Sequence, residues 1–382
     1  MTQNKLTRRQ VLKATAAAAG AMTGLPGWAE DAKEIHIGQS CHLSGPLAPT
    51  LLAPLKGQAL AIEELNKKGG IGGKPLHLIM LDDAFDPKKA VENTLKLIDV
   101  EKVVALTGYA STANVAAVLP ILLEKKVPLV GAYGGSPSLR VKDHPYFFTG
   151  LASYRDEVVQ IIRNLVSIQK SQIGVIYQNH PFGQLMLPVV ESVAQELGAT
   201  IVGKQSLDAN GSDAVASAQA LGASKPQAVL LIAFGPATVP TIKAIRSYIG
   251  APVYALSIAN AKQLVEALGD DGRGMAYTQI IPYPWRQTTP LTRDFGAVMA
   301  KANIPIDYDH FLGYLNMRVV IEGLRRAAAA SKVVTPASVV TGMESIGKFD
   351  MGGYALNFGP QKHHGSNFVE ITIVGPGGRY MR

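Results

Sequence analysis

Four short segments combine hydroxyl, glycine and aromatic residues in a way that suits the capture of a small molecule. They read Ser44-Gly45-Pro46-Leu47, Tyr109-Ala110-Ser111-Thr112, Tyr133-Gly134-Gly135-Ser136 and Phe234-Gly235-Pro236. Ser111 and Thr112 stand where a helix is expected to begin. Hydroxyls beside the free N–H groups of a first helical turn make a site for a carboxylate; the alternative reading is a plain helix cap. Gly134 and Gly135 let the backbone approach a ligand closely. Tyr109, Tyr133 and Tyr154 are either pocket walls or ordinary half-buried aromatics. Such a set holds a small polar molecule without changing it.

Reactive chemistry finds less support. The single cysteine, Cys41, excludes an intramolecular disulfide and a cysteine-rich zinc site. Beside His42 it is either a nucleophile or a small buried hydrophobe. Asp82, Asp83 and Asp86 lack the glycine and distal glutamate of a calcium loop, so a loop-and-cap role is expected rather than a cation site. His363 and His364 are adjacent, and neighbours on a strand diverge. A solvated surface pair is expected there rather than a metal site. No GxGxxG follows a strand, and no GxxxxGK[ST], GxSxG or HExxH occurs. Gly69-Gly70-Ile71-Gly72-Gly73 follows a helix and reads as a cap and a turn. No catalytic residue, cofactor or metal is expected.

The segments that carry these residues alternate between strand and helix. Strands are expected at 34–39, 75–81, 103–106 and 127–131, with helices at 51–66, 87–97 and 112–125 between them. After Tyr154-Arg155-Asp156 the pattern restarts. Strands at 173–177, 200–204, 228–234, 253–257 and 274–281 alternate with helices at 158–168, 185–197, 212–222, 239–249 and 261–268. Pro282, Pro284 and Pro290 mark a crossing. A long helix at 308–330, a short one from 336 and a β tail from 352 complete the chain. Strands separated by helices imply parallel pairing, hence an α/β fold with doubly wound sheets. At 382 residues, and about 150 residues per domain, two or three domains are expected, and the restart of the pattern divides the α/β segments into two blocks. Ligands sit at the carboxyl ends of such strands, so two facing lobes make a cleft.

The first 29 residues read as an export signal peptide. Lys5, Arg8, Arg9 and Lys13 precede a soft apolar stretch, 14–25, and Gly27-Trp28-Ala29 puts small residues before a cut. Thr7-Arg8-Arg9-Gln10-Val11-Leu12-Lys13 resembles the bacterial twin-arginine motif; the alternative is an ordinary secretory signal. These four charges are half of the net +8. The remainder is mildly basic without a Lys/Arg stripe, which gives no case for nucleic acid. No segment offers the roughly 18 uninterrupted apolar residues of a membrane span. A soluble periplasmic product is expected.

Gly38-Gln39-Ser40 with Leu43-Ser44-Gly45-Pro46 resembles the solute-binding proteins of ABC importers, of the leucine/isoleucine/valine-binding type. The resemblance continues through Gly57-Gln58-Ala59, Gly69 to Lys74, Leu81-Asp82-Asp83, Val118-Leu119-Pro120, Phe147, Tyr154 to Glu157 and Phe182-Gly183-Gln184. It runs from about residue 34 to the C-terminus. It implies two Rossmann-like lobes (periplasmic binding protein type I) joined by a three-segment hinge. The implied lobes are 30–151 plus about 284–354, and 152–283 plus about 355–382. It further implies a monomer that captures an amino acid or small carboxylate and delivers it to ABC permease and ATPase subunits. A sensor feeding a membrane signalling partner and an exported α/β enzyme are the alternatives.

By the same resemblance, carboxylate-binding groups fall on Ser111 and Thr112. An Ala-Thr pair is replaced by Gly134-Gly135-Ser136, which shifts one hydroxyl to Ser136. The second lobe's aromatic falls on Phe182, with Phe234, and Ser44 stands on the first loop. The acid that pairs with an α-ammonium belongs on the loop after 253–257. That loop reads Ser257-Ile258-Ala259-Asn260 and carries no carboxylate. A buried ammonium without a counter-charge costs several kcal/mol. Either another acid reaches in, or the ligand lacks the ammonium. A small carboxylate or similar polar metabolite is favoured over a branched amino acid.

Overall fold

The computed structural model describes residues 33–140, 144–259 and 262–382. The expected export signal, residues 1–29, and Asn260 lie outside the described residues.

The first strand, β1 (Ile35–Cys41), sits between β2 (Leu76–Asp82) and β3 (Ala105–Thr107). Adding β4 (Leu129–Val130) and β5 (Phe147–Phe148) gives a parallel sheet of order β2-β1-β3-β4-β5. Its helices are α1 (Leu52–Lys67), α2 (Pro87–Asp99) and α3 (Thr112–Lys125). The bounds of α3 are those expected from its apolar spacing. The two-residue strand β5 carries no pattern of its own and escaped the sequence reading.

The restart after residue 154 builds a second sheet. The helices are α4 (Tyr154–Ser167), α5 (Pro181–Leu197), α6 (Ala214–Gly222), α7 (Thr238–Tyr248) and α8 (Lys262–Leu268). They alternate with β6 (Gln172–Gln178), β7 (Thr200–Leu207), β8 (Ala228–Ile232), β9 (Val253–Ala255) and β10 (Ala276–Gln279). Strand β8, AVLLI, is apolar throughout because both its faces are covered. Val229 and Leu231 pack on one side. Leu230 and Ile232 pack on the other, against α4 and α5.

The chain then returns to the first sheet. Helix α9 (Pro290–Ala302), unforeseen among the prolines of the crossing, precedes α10 (Tyr308–Ala330) and α11 (Pro336–Glu344). Helix α10 lies directly against α1. A Cβ on Gly57 would stand 1.9 Å from the His310 carbonyl oxygen, and one on Gly313 would stand 1.8 Å from that of Pro54. Only glycine permits this backbone approach. It fixes the start of α10 beside the carboxyl ends of the first sheet.

The hairpin β11 (Lys348–Asp350) with β12 (Ala355–Asn357) follows, and Thr149 bridges His364. The chain finally crosses to β13 (Glu370–Val374), antiparallel to β10, and β14 (Tyr380–Met381). Three crossings therefore join the sheets, near residues 149–153, 280–289 and 365–369.

His363 and His364 correct the expectation of a solvated pair. His363 is buried, stacks on Phe148 at 3.9 Å, and bonds the His144 carbonyl and Glu344. His364 bonds the Thr149 hydroxyl at 3.0 Å. They pin the return segment rather than facing water.

Candidate functional site

A cavity of about 480 Å³ lies between the two sheets. Its wall comes from the loops after β1, β2, β3 and β4 on one side and after β6, β8, β9 and β10 on the other, with the start of α10. All of these strand loops are carboxyl-terminal, as open parallel sheets require.

Seven residues singled out from the sequence line it: Ser111, Thr112, Tyr133, Tyr154, Phe182, Phe234 and Ser257. Ser111 caps α3, its Oγ accepting the Asn114 N–H at 3.4 Å. Among the described residues, the N–H groups of Thr112 and Ala113 have no protein acceptor. Cap and anion site thus coincide at one helix start, where the dipole also favours negative charge. The Tyr133 hydroxyl donates to Gln58 Oε1 at 3.1 Å, which fixes its ring against the cavity. Tyr154 is held by its N–H to the Gly135 carbonyl, 2.8 Å, and meets Phe182 edge to face at 5.2 Å.

Five others lie off the wall. Tyr109 is fully buried and its hydroxyl pairs with Thr94 at 2.7 Å, so it belongs to the core. Ser44 is exposed and donates to Asp82. Gly134 and Gly135 face protein instead: a Cβ on Gly135 would stand 3.3 Å from the Tyr154 ring. Ser136 is buried behind Ser138, their hydroxyls 2.9 Å apart, and Ser138 reaches the wall in its place.

The three aspartates have structural roles. Asp82 accepts from Leu43, Ser44 and Ala84, and the Ser44 hydroxyl is the main reason its carboxyl is held down to about 2. Asp83 accepts from Ser40 and Phe85, and Asp86 caps α2. Burial pushes the Cys41 thiol up to about 12, which disables it as a nucleophile at neutral pH.

Sequence reasoning missed a second aromatic group. Ala84 and Phe85 are both left-handed, with φ 48° and 66°. Successive left-handed residues without glycine are strained by roughly 1 kcal/mol or more each. The turn aims Phe85 across the cleft, where it lies 6.4 Å from Phe234 and 6.5 Å from His180. His42 stands edge-on to Phe85 at 5.1 Å. Burial lowers the pKa of both histidines, so each is neutral at pH 7. No Lys or Arg lines the cavity among the described residues.

Two acids lie close. Glu157 is fully buried under the β9 loop. Its oxygens accept the Ser257 N–H at 2.7 Å, the Ser257 hydroxyl at 3.0 Å and the Thr278 hydroxyl. Burial lifts its carboxyl to about 7 against these bonds. Asp309, near the start of α10, is on the wall itself. Its Oδ2 accepts the Lys262 N–H of α8 at 2.8 Å, and burial lifts it to about 6. Gln263 donates to the Pro49 carbonyl at 3.2 Å. These two bonds clasp α8 from the other side of the cleft, so the cleft is shut. Asp309 had no local sequence signal, because α10 reaches the site only through its glycine contact with α1.

A family model described as periplasmic binding protein matches residues 34–378. The chain belongs to the periplasmic binding protein family. Among solved structures, this chain is similar to an extracellular ligand-binding receptor from Verminephrobacter eiseniae. It is 28% identical, with TM-score 0.84, and the match covers 91% of this chain and 100% of that one. A leucine-, isoleucine-, valine-, threonine- and alanine-binding protein of Pseudomonas aeruginosa is 22% identical over 82% of this chain and 84% of its own length. A Leu/Ile/Val-binding protein homolog 7 of Brucella suis is 27% identical over 49% of each chain. In matches of the latter kind, the chain spans about half the length of the curated relative. No described helix is long and apolar enough to cross a membrane.

Proposed function

We propose that this chain is the extracytoplasmic solute-binding component of an ABC importer of the branched-chain amino acid type. It captures an amino acid or small carboxylate between two lobes, as a monomer, and delivers it to a membrane permease and its ATPase. The observation that carries this reading is the placement of the cavity. It lies at the carboxyl ends of both parallel sheets, with donors of α3 at one wall and aromatic rings from both sides. The lobes are 30–151 plus about 284–354, and 152–283 plus about 355–382. The Thr149–His364 bridge favours moving the last boundary towards Gly365. Residues 1–29 are the export signal, which makes the periplasm the working compartment.

An enzymatic reading is less well supported. Thr50, the wall hydroxyl nearest a histidine, lies 3.4 Å from His42 Nε2 and gives its proton to the Leu47 carbonyl at 2.7 Å. A nucleophile needs the opposite arrangement, with its proton directed to the base.

Small-angle scattering with and without a saturating ligand tests the reading. Ligand is expected to compact the molecule and to be recovered unchanged. Equal radii, or turnover of the bound compound, would overturn it.

A further inference from the structure

The cavity is larger than a single aromatic ring needs. An apolar protein cavity of about 150 Å³ accommodates benzene. This one is about 480 Å³, more than three times that size. Its walls are chiefly rings and aliphatic side chains. Tyr154 meets Phe182 at 76°, and Phe234 meets Phe182 and His180 each at 82°. Phe85 closes the same corner from the opposite side. Perpendicular rings of this kind present both faces and edges, which suits an aromatic guest.

The charges are equally one-sided. Thr112 and Ala113 offer unpaired N–H donors at the start of a 14-residue helix, beside the Ser111 hydroxyl. That end takes an anion without a cation's help. An ammonium finds no comparable place. The β9 loop has no acid, and Glu157 beneath it spends its oxygens on Ser257 and Thr278 and has no exposed surface. Asp309 is tied to the Lys262 N–H across the cleft. An ammonium there would have to share this carboxylate with the bond that keeps the cleft shut.

We propose that the cavity takes an aromatic monocarboxylate that lacks an α-ammonium group. This rests on the receptor reading above and narrows its ligand.

Matched pairs isolate the ammonium. The full chain is titrated by calorimetry with 3-phenylpropanoate against phenylalanine, and with 4-methylpentanoate against leucine. The expected result is that 3-phenylpropanoate binds at least tenfold more tightly than phenylalanine and than 4-methylpentanoate. Tighter binding of phenylalanine or leucine than of its deaminated partner overturns the proposal and leaves the receptor reading standing. Equal binding of 3-phenylpropanoate and 4-methylpentanoate overturns the aromatic requirement. Silence from all four at millimolar concentration overturns the proposal as a whole. The receptor reading is then judged separately, by whether any member of a wider thermal-shift panel compacts the molecule in scattering.

Discussion

Phe85 and Phe234 stand 6.4 Å apart, ring to ring, although one follows β2 and the other β8, on different sheets. Only closure of the cleft brings them together. An aromatic pair adds about 0.5–1.5 kcal/mol beyond its buried area. Phe85→Ala is therefore expected to weaken ligand binding up to about tenfold while leaving the thermal midpoint of the unliganded protein nearly unchanged. Calorimetry and a melting curve check both halves. A large fall in the unliganded midpoint would make Phe85 a core residue instead.

Ser111→Gly combined with Thr112→Ala removes two hydroxyls from the anion end. Glycine retains most of an N-cap, at a cost of a few tenths of a kcal/mol. Carboxylate affinity is expected to drop tenfold or more with little loss of stability. Unchanged affinity would place the carboxylate elsewhere.

Asp309→Ala removes the acceptor of the Lys262 N–H. A hydrogen bond to a charged group contributes about 1.5–3 kcal/mol. The closed state loses that bond and the open state does not. Ligand release, followed by stopped flow, is expected to quicken roughly tenfold or more while association changes little. Asp309→Asn keeps a carbonyl acceptor and should recover part of the loss. Equal release rates in all three proteins would remove the clasp.

Glu157 makes stability depend on pH. Its carboxyl is raised by burial to about 7, above its ordinary value of 4.5. The folded protein thus binds more protons than the unfolded chain between those values, so stability falls as pH rises through that window. The slope from one proton is at most about 1.4 kcal/mol per pH unit. Glu157→Gln is expected to be less stable at pH 5, since its amide oxygen replaces only one of the two accepting oxygens and its NH2 faces the donors on the other, but flatter in its pH dependence. Parallel profiles for the two proteins from pH 5 to 7.5 would contradict this.

Arg8→Lys with Arg9→Lys is expected to abolish export if the twin-arginine route is used. Fractionation checks it, and normal periplasmic yield would point to the general secretory route.

The alternation of strands and helices was legible because each buried strand forms a short apolar run and each helix keeps a 3.6-residue period. Helices α3 and α10 have the bounds their spacing predicts. Position at the carboxyl end of a strand was enough to find Ser111, Tyr133 and Phe234. It could not say which way a side chain turns, so Tyr109 and Ser44 were placed on the wall and lie off it. The same positional rule covers Phe85, but its reach depends on two left-handed residues that no glycine announces. Asp309 and Tyr308 enter from a helix that follows all the strand loops they join, by way of the glycine contacts between α1 and α10. The pair His363-His364 was misread because polarity suggested solvent, while Phe148, the His144 carbonyl and Glu344 supply all that a buried imidazole needs.

Strand β13 covers the flank of β10 with residues made well after β10 in synthesis. Before residues 370–374 leave the ribosome, β10 presents a bare ladder of amides and carbonyls, which is a template for pairing with other chains. Contacts between positions a hundred residues apart also slow folding. A nascent or truncated chain ending before Glu370 would thus be a candidate for aggregation, and this exposure would end when β13 docks.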